Sequence, residues 1–356
     1  MSKKVRVLLV GASFSADLHA DAYSRCTDIA EIVAICDKAT DRIPVLADRY
    51  GFTGYQAYDD FEKAIDEVDC DVVDVCMPNF LHKAVALKAF EKGRHVISEK
   101  PLATTLEDAE EMVAAAEKAG KQLLYAEDWL FAPALNKALA IVKEGGIGEQ
   151  KYIRARECHN GSHSPFAQTI KFCGGGAMTH LGVHPVCFML ALKDNQWTEL
   201  TAMTSGGLDK NLIHEKMEGE DWGVLVIKFA DGTVATLESN YVTVGGMEDV
   251  IDIYGTTGCM HVDLTFSSAI NCFSETGLSY TVEKADVKTG WSRPAVDEKF
   301  NLGYVGEIRH FMECARDNKE ARVGLRGKDG LEALRVINLA YQSSREGRAI
   351  KNDKLK

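Results

Sequence analysis

The chain begins with a strand that stops on a glycine. Val5 to Val10 is rich in valine and leucine and ends at Gly11, which is how a strand covered by helices on both faces reads. A helix-compatible stretch follows over about Asp17 to Arg25, so Gly11-Ala12-Ser13-Phe14-Ser15-Ala16 is a strand-to-helix turn. Such a turn can hold a pyrophosphate on its backbone N–H groups and on the helix N-terminus. The full pattern is GxGxxG; here the first glycine is kept, Ser13 takes the second place and Ala16 the third. Alone, this motif says only that a tight turn needs glycine. Its context says more. Ile32 to Cys36 reads as a second buried strand with Asp37 at its tip, 21 residues after Ala16, where dinucleotide sites bind a ribose hydroxyl. Gly11, Ser13 and Phe14 are therefore expected at a pyrophosphate and Asp37 at a ribose. A carboxylate accepts from a 2′-OH and repels a 2′-phosphate, which favours NAD over NADP. Lys38 next door offsets part of that repulsion and leaves NADP open.

The alternation continues. Val72 to Met77 reads as a strand running into Pro78-Asn79, Leu81 to Lys92 as a helix closed by Gly93, and His95 to Ser98 as a strand. Leu106 to Ala119 follows as a helix closed by Gly120, and Gln122 to Ala126 as a strand. Residues 1–128 are thus expected to form an α/β domain, a Rossmann-type doubly wound parallel sheet. Pro78, Asn79 and His82 fall at its carboxyl edge, where ligands bind in such sheets, although helix capping and a solvent-facing histidine explain the last two equally well. Past Trp129 the pattern changes. A helix over Pro133 to Lys143 leads to strands at Tyr152 to Cys158, Thr198 to Thr204, Gly223 to Phe229, Thr233 to Tyr241 and Val250 to Tyr254, with an Asp231-Gly232 hairpin signal. Helices at Tyr304 to Asp317 and Lys328 to Glu346 close the chain. Residues 129–356 are expected to be an α+β domain with a largely antiparallel sheet.

A chain of 356 residues has room for two such domains. Its formal charge is −12 with no basic block, which argues against nucleic acid as a partner. No apolar run approaches the roughly 18 residues that span a bilayer, so no membrane association is expected. The ten cysteines show no metal-type spacing and read as buried free thiols, which suits a reducing cytoplasm. The first residues mimic a signal peptide, but the apolar stretch is too short for one.

Two further features carry chemistry. The fourth strand ends Glu99-Lys100-Pro101, placing an ammonium at the sheet's carboxyl edge, where it can stabilise alkoxide character on a substrate hydroxyl. The Lys-Pro step keeps Lys100 out of the helical region. Four of the ten histidines fall between residues 159 and 184, and His180 and His184 share a face if their segment is helical. Either can serve as a base near neutral pH. A zinc site is not expected: Leu181 stands where HExxH needs glutamate, and no third ligand is indicated.

Together, the Gly11 turn, Asp37, Glu99-Lys100-Pro101, and Gly174-Gly175-Gly176 followed by His180-x-x-x-His184-Pro resemble the Gfo/Idh/MocA family of oxidoreductases. The resemblance runs through nearly the whole chain. It implies an NAD(P)-dependent enzyme acting on a sugar, inositol or related polyol, and a second domain whose open sheet face makes homodimers or homotetramers. It also implies that Lys100 contacts the reacting hydroxyl, that His184 is the general acid/base, and that Glu99 and Lys100 lie beside the cofactor. His180 stands where relatives usually carry aspartate, so it would either pass the proton on or hold a substrate hydroxyl. Trp129, Arg156, His159 and His163 are candidates for the sugar pocket, which combines an aromatic face with hydrogen-bonding side chains. Two other readings are a redox-neutral, NAD-retaining glycosidase of the same family and a non-enzymatic NAD sensor.

Overall fold

The computed structural model describes residues 3–162, 164–265, 270–277 and 289–354. They fall into two compact units: Met1–Phe131 with Gly303–Leu334, and Ala132–Leu302 with Arg335–Lys356. The sequence reading draws one line at 128/129. The chain instead returns to unit 1 for residues 303–334, a step that no local pattern announces because it depends on which surface a late helix covers.

Unit 1 runs β1 (Val5–Val10), α1 (Phe14–Ser24), β2 (Ala30–Cys36), α2 (Arg42–Tyr50), β3 (Gln56–Tyr58), α3 (Phe61–Glu67), β4 (Val72–Val75), α4 (His82–Glu91), β5 (His95–Ser98), α5 (Leu106–Ala119) and β6 (Leu123–Tyr125). The strands lie in the order β3-β2-β1-β4-β5-β6, and every neighbouring pair is parallel. This is the doubly wound sheet that the alternation predicts, and every residue of β4 and β5 is buried, as in a sheet covered on both faces. Local rules set the helix ends. Thr105 accepts the Asp108 N–H at 3.1 Å ahead of α5, and Gly120 closes the helix at φ 60°. The sequence reading assigns nothing between Asp37 and Val72; β3 there is three residues long and mostly exposed, too short to leave a pattern.

Unit 2 contains α6 (Pro133–Lys143), β7 (Gln150–Asn160), the short helices α7 (Ile170–Cys173) and α8 (Ala177–His180), then α9 (Val183–Leu192), β8 (Trp197–Thr204), β9 (Trp222–Phe229), β10 (Val234–Asn240), β11 (Val242–Gly255) and β12 (Cys259–Asp263). A small ribbon, β13 (Cys272–Ser274) with β14 (Gly290–Ser292), and α10 (Glu298–Leu302) follow. The chain ends with α11 (Tyr304–Asp317) in unit 1, α12 (Gly327–Glu346) and β15 (Ile350–Lys351). The large sheet has the order β12-β11-β7-β10-β9-β8-β15. Only β7 and β10 pair in parallel within it, so the expectation of a largely antiparallel sheet holds. Phe229 donates its N–H to the Thr233 carbonyl across the Asp231-Gly232 turn, with Gly232 at φ 85°.

One expectation is corrected here. His180 and His184 do not share a helical face: His180 ends α8, His184 sits in the first turn of α9, and the chain bends by 56° between them. The break falls at Gly182, where a Cβ would meet the Met178 carbonyl oxygen at 2.7 Å and Ser239 Oγ at 3.1 Å. Among the described residues, no single helix is long and apolar enough to cross a membrane.

Candidate active site

At the end of β1, Gly11 adopts φ 120°, and a Cβ there would stand 2.2 Å from the Cys76 carbonyl oxygen. Close approach of the β1 end to the segment after β4 therefore requires glycine. Asp37 completes the turn. Its Oδ2 accepts the Ala12 N–H at 2.7 Å and its Oδ1 accepts the Ala39 N–H at 2.8 Å. A carboxylate oxygen has a second lone pair, so Asp37 can brace the turn and still accept ribose hydroxyls. Ser13 and Phe14 are exposed at the start of α1, beside a cleft of about 330 Å³ that also takes in Arg42 and Arg49. Lys38 is exposed, one residue beyond the buried Asp37. The α1 N-terminus, the glycine turn and an acidic β2 tip are the donor and acceptor set a dinucleotide needs. The residues present fit NAD.

Farther along the carboxyl edge, Pro78 follows β4 and Asn79 opens a short 3₁₀ turn, both half-buried. His82 is buried, with Nδ1 3.1 Å from the Pro101 carbonyl oxygen and Nε2 2.9 Å from that of Met77. Burial lowers its pKa and favours the neutral ring, whose single N–H donates to one of these two carbonyls. Lys100 is half-buried at the end of β5 and donates its backbone N–H to Glu99 Oε2 at 3.0 Å. Glu99 Oε1 in turn faces His19 Nε2 at 3.1 Å, and His19 Nδ1 faces Asp74 Oδ2 at 2.9 Å. Burial works to lower the His19 pKa, but the adjoining Asp74 and Cys76 raise it well above its ordinary value. An imidazolium between two carboxylates results. For Glu99, burial pushes upward, yet the His19 hydrogen bond and the charges of His19 and Lys100 bring the pKa down to about 2. The ligand-type atoms of His19, Asp74 and Cys76 lie within 4.8 Å of one another, but hydrogen bonding already accounts for that grouping.

Behind Lys100 lie acids that the sequence reading left unassigned or gave no firm role. Glu127 is fully buried, and that burial, against the pull of Lys100, raises its pKa to about 8. Its backbone N–H donates to Glu307 of α11. Burial and then Asp128 raise Glu307 well above the carboxylate range. Trp129 is 2% exposed in the turn after β6, and its ring is enclosed in the core.

In unit 2, β7 alternates. Ile153, Ala155, Glu157 and His159 are buried on one face, while Tyr152, Arg154 and Arg156 occupy the other. Glu157 Oε1 lies 3.8 Å from His184 Nε2. His159 is buried, its Nδ1 2.7 Å from the Gly161 carbonyl oxygen and its ring 5.5 Å from that of Tyr241. Arg156 is not brought to this group: it pairs on the opposite face with Glu238 at 3.2 Å and with Glu248. His180 is half-buried at the end of α8. His163 lies outside the described residues. The glycine triplet has a packing origin. A Cβ on Gly176 would meet the Glu220 carbonyl oxygen at 1.9 Å, and one on Gly175 would meet Thr179 Oγ1 at 2.1 Å. The Glu220 carboxylate accepts N–H groups from Gly176 at 3.0 Å and Met178 at 2.7 Å, and the Tyr341 hydroxyl donates to it at 2.9 Å. This anchor fixes α8 ahead of His184. Period-2 reading of β7 would have exposed Glu157 and set Arg156 apart; Glu220 left no local signal.

Residues 5–127 match the model of the oxidoreductase family with an NAD-binding Rossmann fold, and residues 135–261 match the GFO/IDH/MocA C-terminal domain. The chain is 25% identical over 358 residues to D-apiose dehydrogenase of Paraburkholderia graminis, covering 98% of this chain and 90% of that protein. It is 30% identical over 258 residues to 1,5-anhydro-D-fructose reductase of Ensifer adhaerens, covering 71% and 74%. Among solved structures, GenD2 from gentamicin A biosynthesis, crystallised with NAD, shares the fold with a TM-score of 0.89 at 23% identity over 99% of this chain and 97% of that one.

Proposed function

The chain belongs to the Gfo/Idh/MocA oxidoreductase family, and from that membership we propose that it is an NAD-dependent dehydrogenase oxidising a secondary hydroxyl of a sugar or related polyol. The observation that carries this reading is Lys100, held at the carboxyl edge of a sheet whose first turn, with Asp37, fits a dinucleotide. Bound NAD supplies the hydride acceptor. The chain supplies the proton chemistry. Lys100 donates a hydrogen bond to the reacting hydroxyl and stabilises the negative charge that grows on its oxygen. His184 takes the hydroxyl proton, and Glu157 stabilises the imidazolium that forms. His159 and His180 are assigned to substrate hydroxyls. The relatives named for apiose and anhydrofructose support a carbohydrate substrate.

All ten cysteines are free, which supports a reducing cytoplasm. Tyr152 and Tyr254 stack with ring centroids 5.6 Å apart on the outer sheet face, a surface suited to a homodimer or homotetramer.

The test is a panel of sugars and inositols with NAD, followed at the absorbance of the reduced cofactor. Accumulation that is abolished in Lys100→Met and His184→Ala supports the assignment. Near-normal turnover in both variants overturns it. Substrate consumption without reduced cofactor would identify the redox-neutral reaction instead.

A further inference from the structure

At the other end of β5 from Lys100, four neighbouring strands of the unit 1 sheet begin side by side. Each brings a polar residue to this amino edge: Lys4 enters β1, Asp71 enters β4, Arg94 and His95 enter β5, and Lys121 precedes β6. With Arg316 at the end of α11 they line a pocket of about 250 Å³. The topology makes the convergence unavoidable. Gly93 and Gly120 end α4 and α5 at φ 67° and 60°, turning the next residues back into adjacent parallel strands. A Cβ on Gly93 would be 3.9 Å from Lys121 Cε, so that side chain lies across the turn.

The charge balance is one-sided in a chain of formal charge −12. Of the side chains that line the pocket, Lys3, Lys4, Arg94, Lys121 and Arg316 are basic and Asp71 is acidic, with Asp69 and Asp317 reaching in from outside the lining. Asp71 is already engaged, accepting the Arg6 N–H at 2.9 Å and pairing with Lys3 at 3.6 Å. Arg316 is held by Asp317 at 2.7 and 3.0 Å. The others are less satisfied. Arg94 donates from Nη2 to the Val68 carbonyl oxygen at 3.4 Å and reaches Asp69 at 3.9 Å, and its buried Nε has no hydrogen-bond partner among the described residues. Lys4 and Lys121 have no ion-pair partner among the described residues. The Gln122 N–H donates to His95 Nδ1 at 3.1 Å, so a neutral His95 ring carries its proton on Nε2 as a further donor.

We propose that this pocket binds a phosphate group, either as the free anion or as the monoester of a small metabolite. Lys4, Arg94 and Lys121 supply its positive charge and His95 a neutral hydrogen bond. Burial, reinforced by Lys121, lowers the His95 pKa to about 4, so the ring stays a neutral donor under ordinary conditions. The volume is below the roughly 300–1,000 Å³ of sites that bury drug-sized ligands, which fits a phosphate with a short carbon chain and excludes a dinucleotide. The site is separate from the Gly11 turn and independent of the reaction proposed above.

The test is calorimetric titration of the full-length protein with inorganic phosphate and, separately, with glycerol phosphate. Ionic strength is matched with chloride, and saturating NAD is present to fill the dinucleotide turn. Saturable phosphate binding is expected, weakened about tenfold or more in both Lys121→Glu and the exposed Lys4→Glu, and strengthened in Asp71→Asn. Melting temperature in chloride alone verifies that each variant folds. Tighter binding of the ester assigns a phosphorylated metabolite, and equal or weaker binding assigns the free anion. Failure to see saturable binding, or binding that survives unchanged in both lysine variants, overturns the proposal.

Discussion

Glu157 Oε1 stands 3.8 Å from His184 Nε2, and both side chains are buried. A carboxylate at that distance favours a protonated imidazole, the state that the proposed transfer of a substrate proton to His184 would create. His184→Ala is expected to lower kcat by roughly 100- to 10,000-fold, the usual contribution of a positioned acid/base. Glu157→Gln should lower it by a smaller factor and leave NAD affinity unchanged. Steady-state kinetics with fluorescence titration of the cofactor checks both.

Asp37 braces the Ala12 turn, and the proposed function makes it the acceptor for the ribose hydroxyls. Asp37→Ala should weaken NAD binding and narrow the preference over NADP, because it removes the repulsion toward a 2′-phosphate while Lys38 stays in place. It should also lower the melting temperature by removing the acceptor of two backbone N–H groups, at a cost of about 1–3 kcal/mol. Paired cofactor titrations and a thermal melt separate the two effects.

Gly11→Ala puts a methyl group 2.2 Å from a backbone oxygen in a left-handed backbone region. No flexible side chain can yield there. A destabilisation of roughly 1–3 kcal/mol is expected from overpacking alone, with loss of dinucleotide binding, measurable by denaturant unfolding and cofactor titration.

Stability should fall on both sides of a mildly acidic plateau. On the acid side, the His95 pKa is depressed from 6.5 to about 4 and that of Glu99 from 4.5 to about 2. Depressed groups contribute stability above their unfolded pKa values and lose it as pH falls through the folded ones; between 6.5 and 4.5 the Glu127 carboxyl offsets the His95 loss, so the net decline sets in below 4.5. On the alkaline side, Glu127 is raised from 4.5 to about 8. Its contribution is complete below pH 4.5 and is lost as pH rises through 8. Glu127→Gln should remove the fall between pH 6.5 and 8, by up to about 1.4 kcal/mol per pH unit, and move the onset of the acid decline up to about pH 6.5, where the His95 loss is no longer offset. Unfolding free energies measured from pH 3 to 9 decide this.

Much of this was readable beforehand where structure is set locally. The helices α5, α6 and α11 match the sequence reading end to end, because apolar spacing together with caps, glycine or proline marks their limits. Asp37 was legible because a fixed spacing ties it to Gly11. The rest depends on tertiary packing. The break between the two histidines falls at Gly182, where a side chain would meet the Met178 carbonyl oxygen and Ser239 of β10, and Glu220 anchors the glycine triplet from 44 residues away. Arg156 looked like a pocket residue until the pleat of β7 turned it to the other face.

All six strands of the unit 1 sheet run the same way, so every strand start lies at one end and every strand finish at the other. Loops at the two ends can therefore diverge independently. A descendant of this chain could acquire or discard an effector at the strand starts without rebuilding the catalytic end.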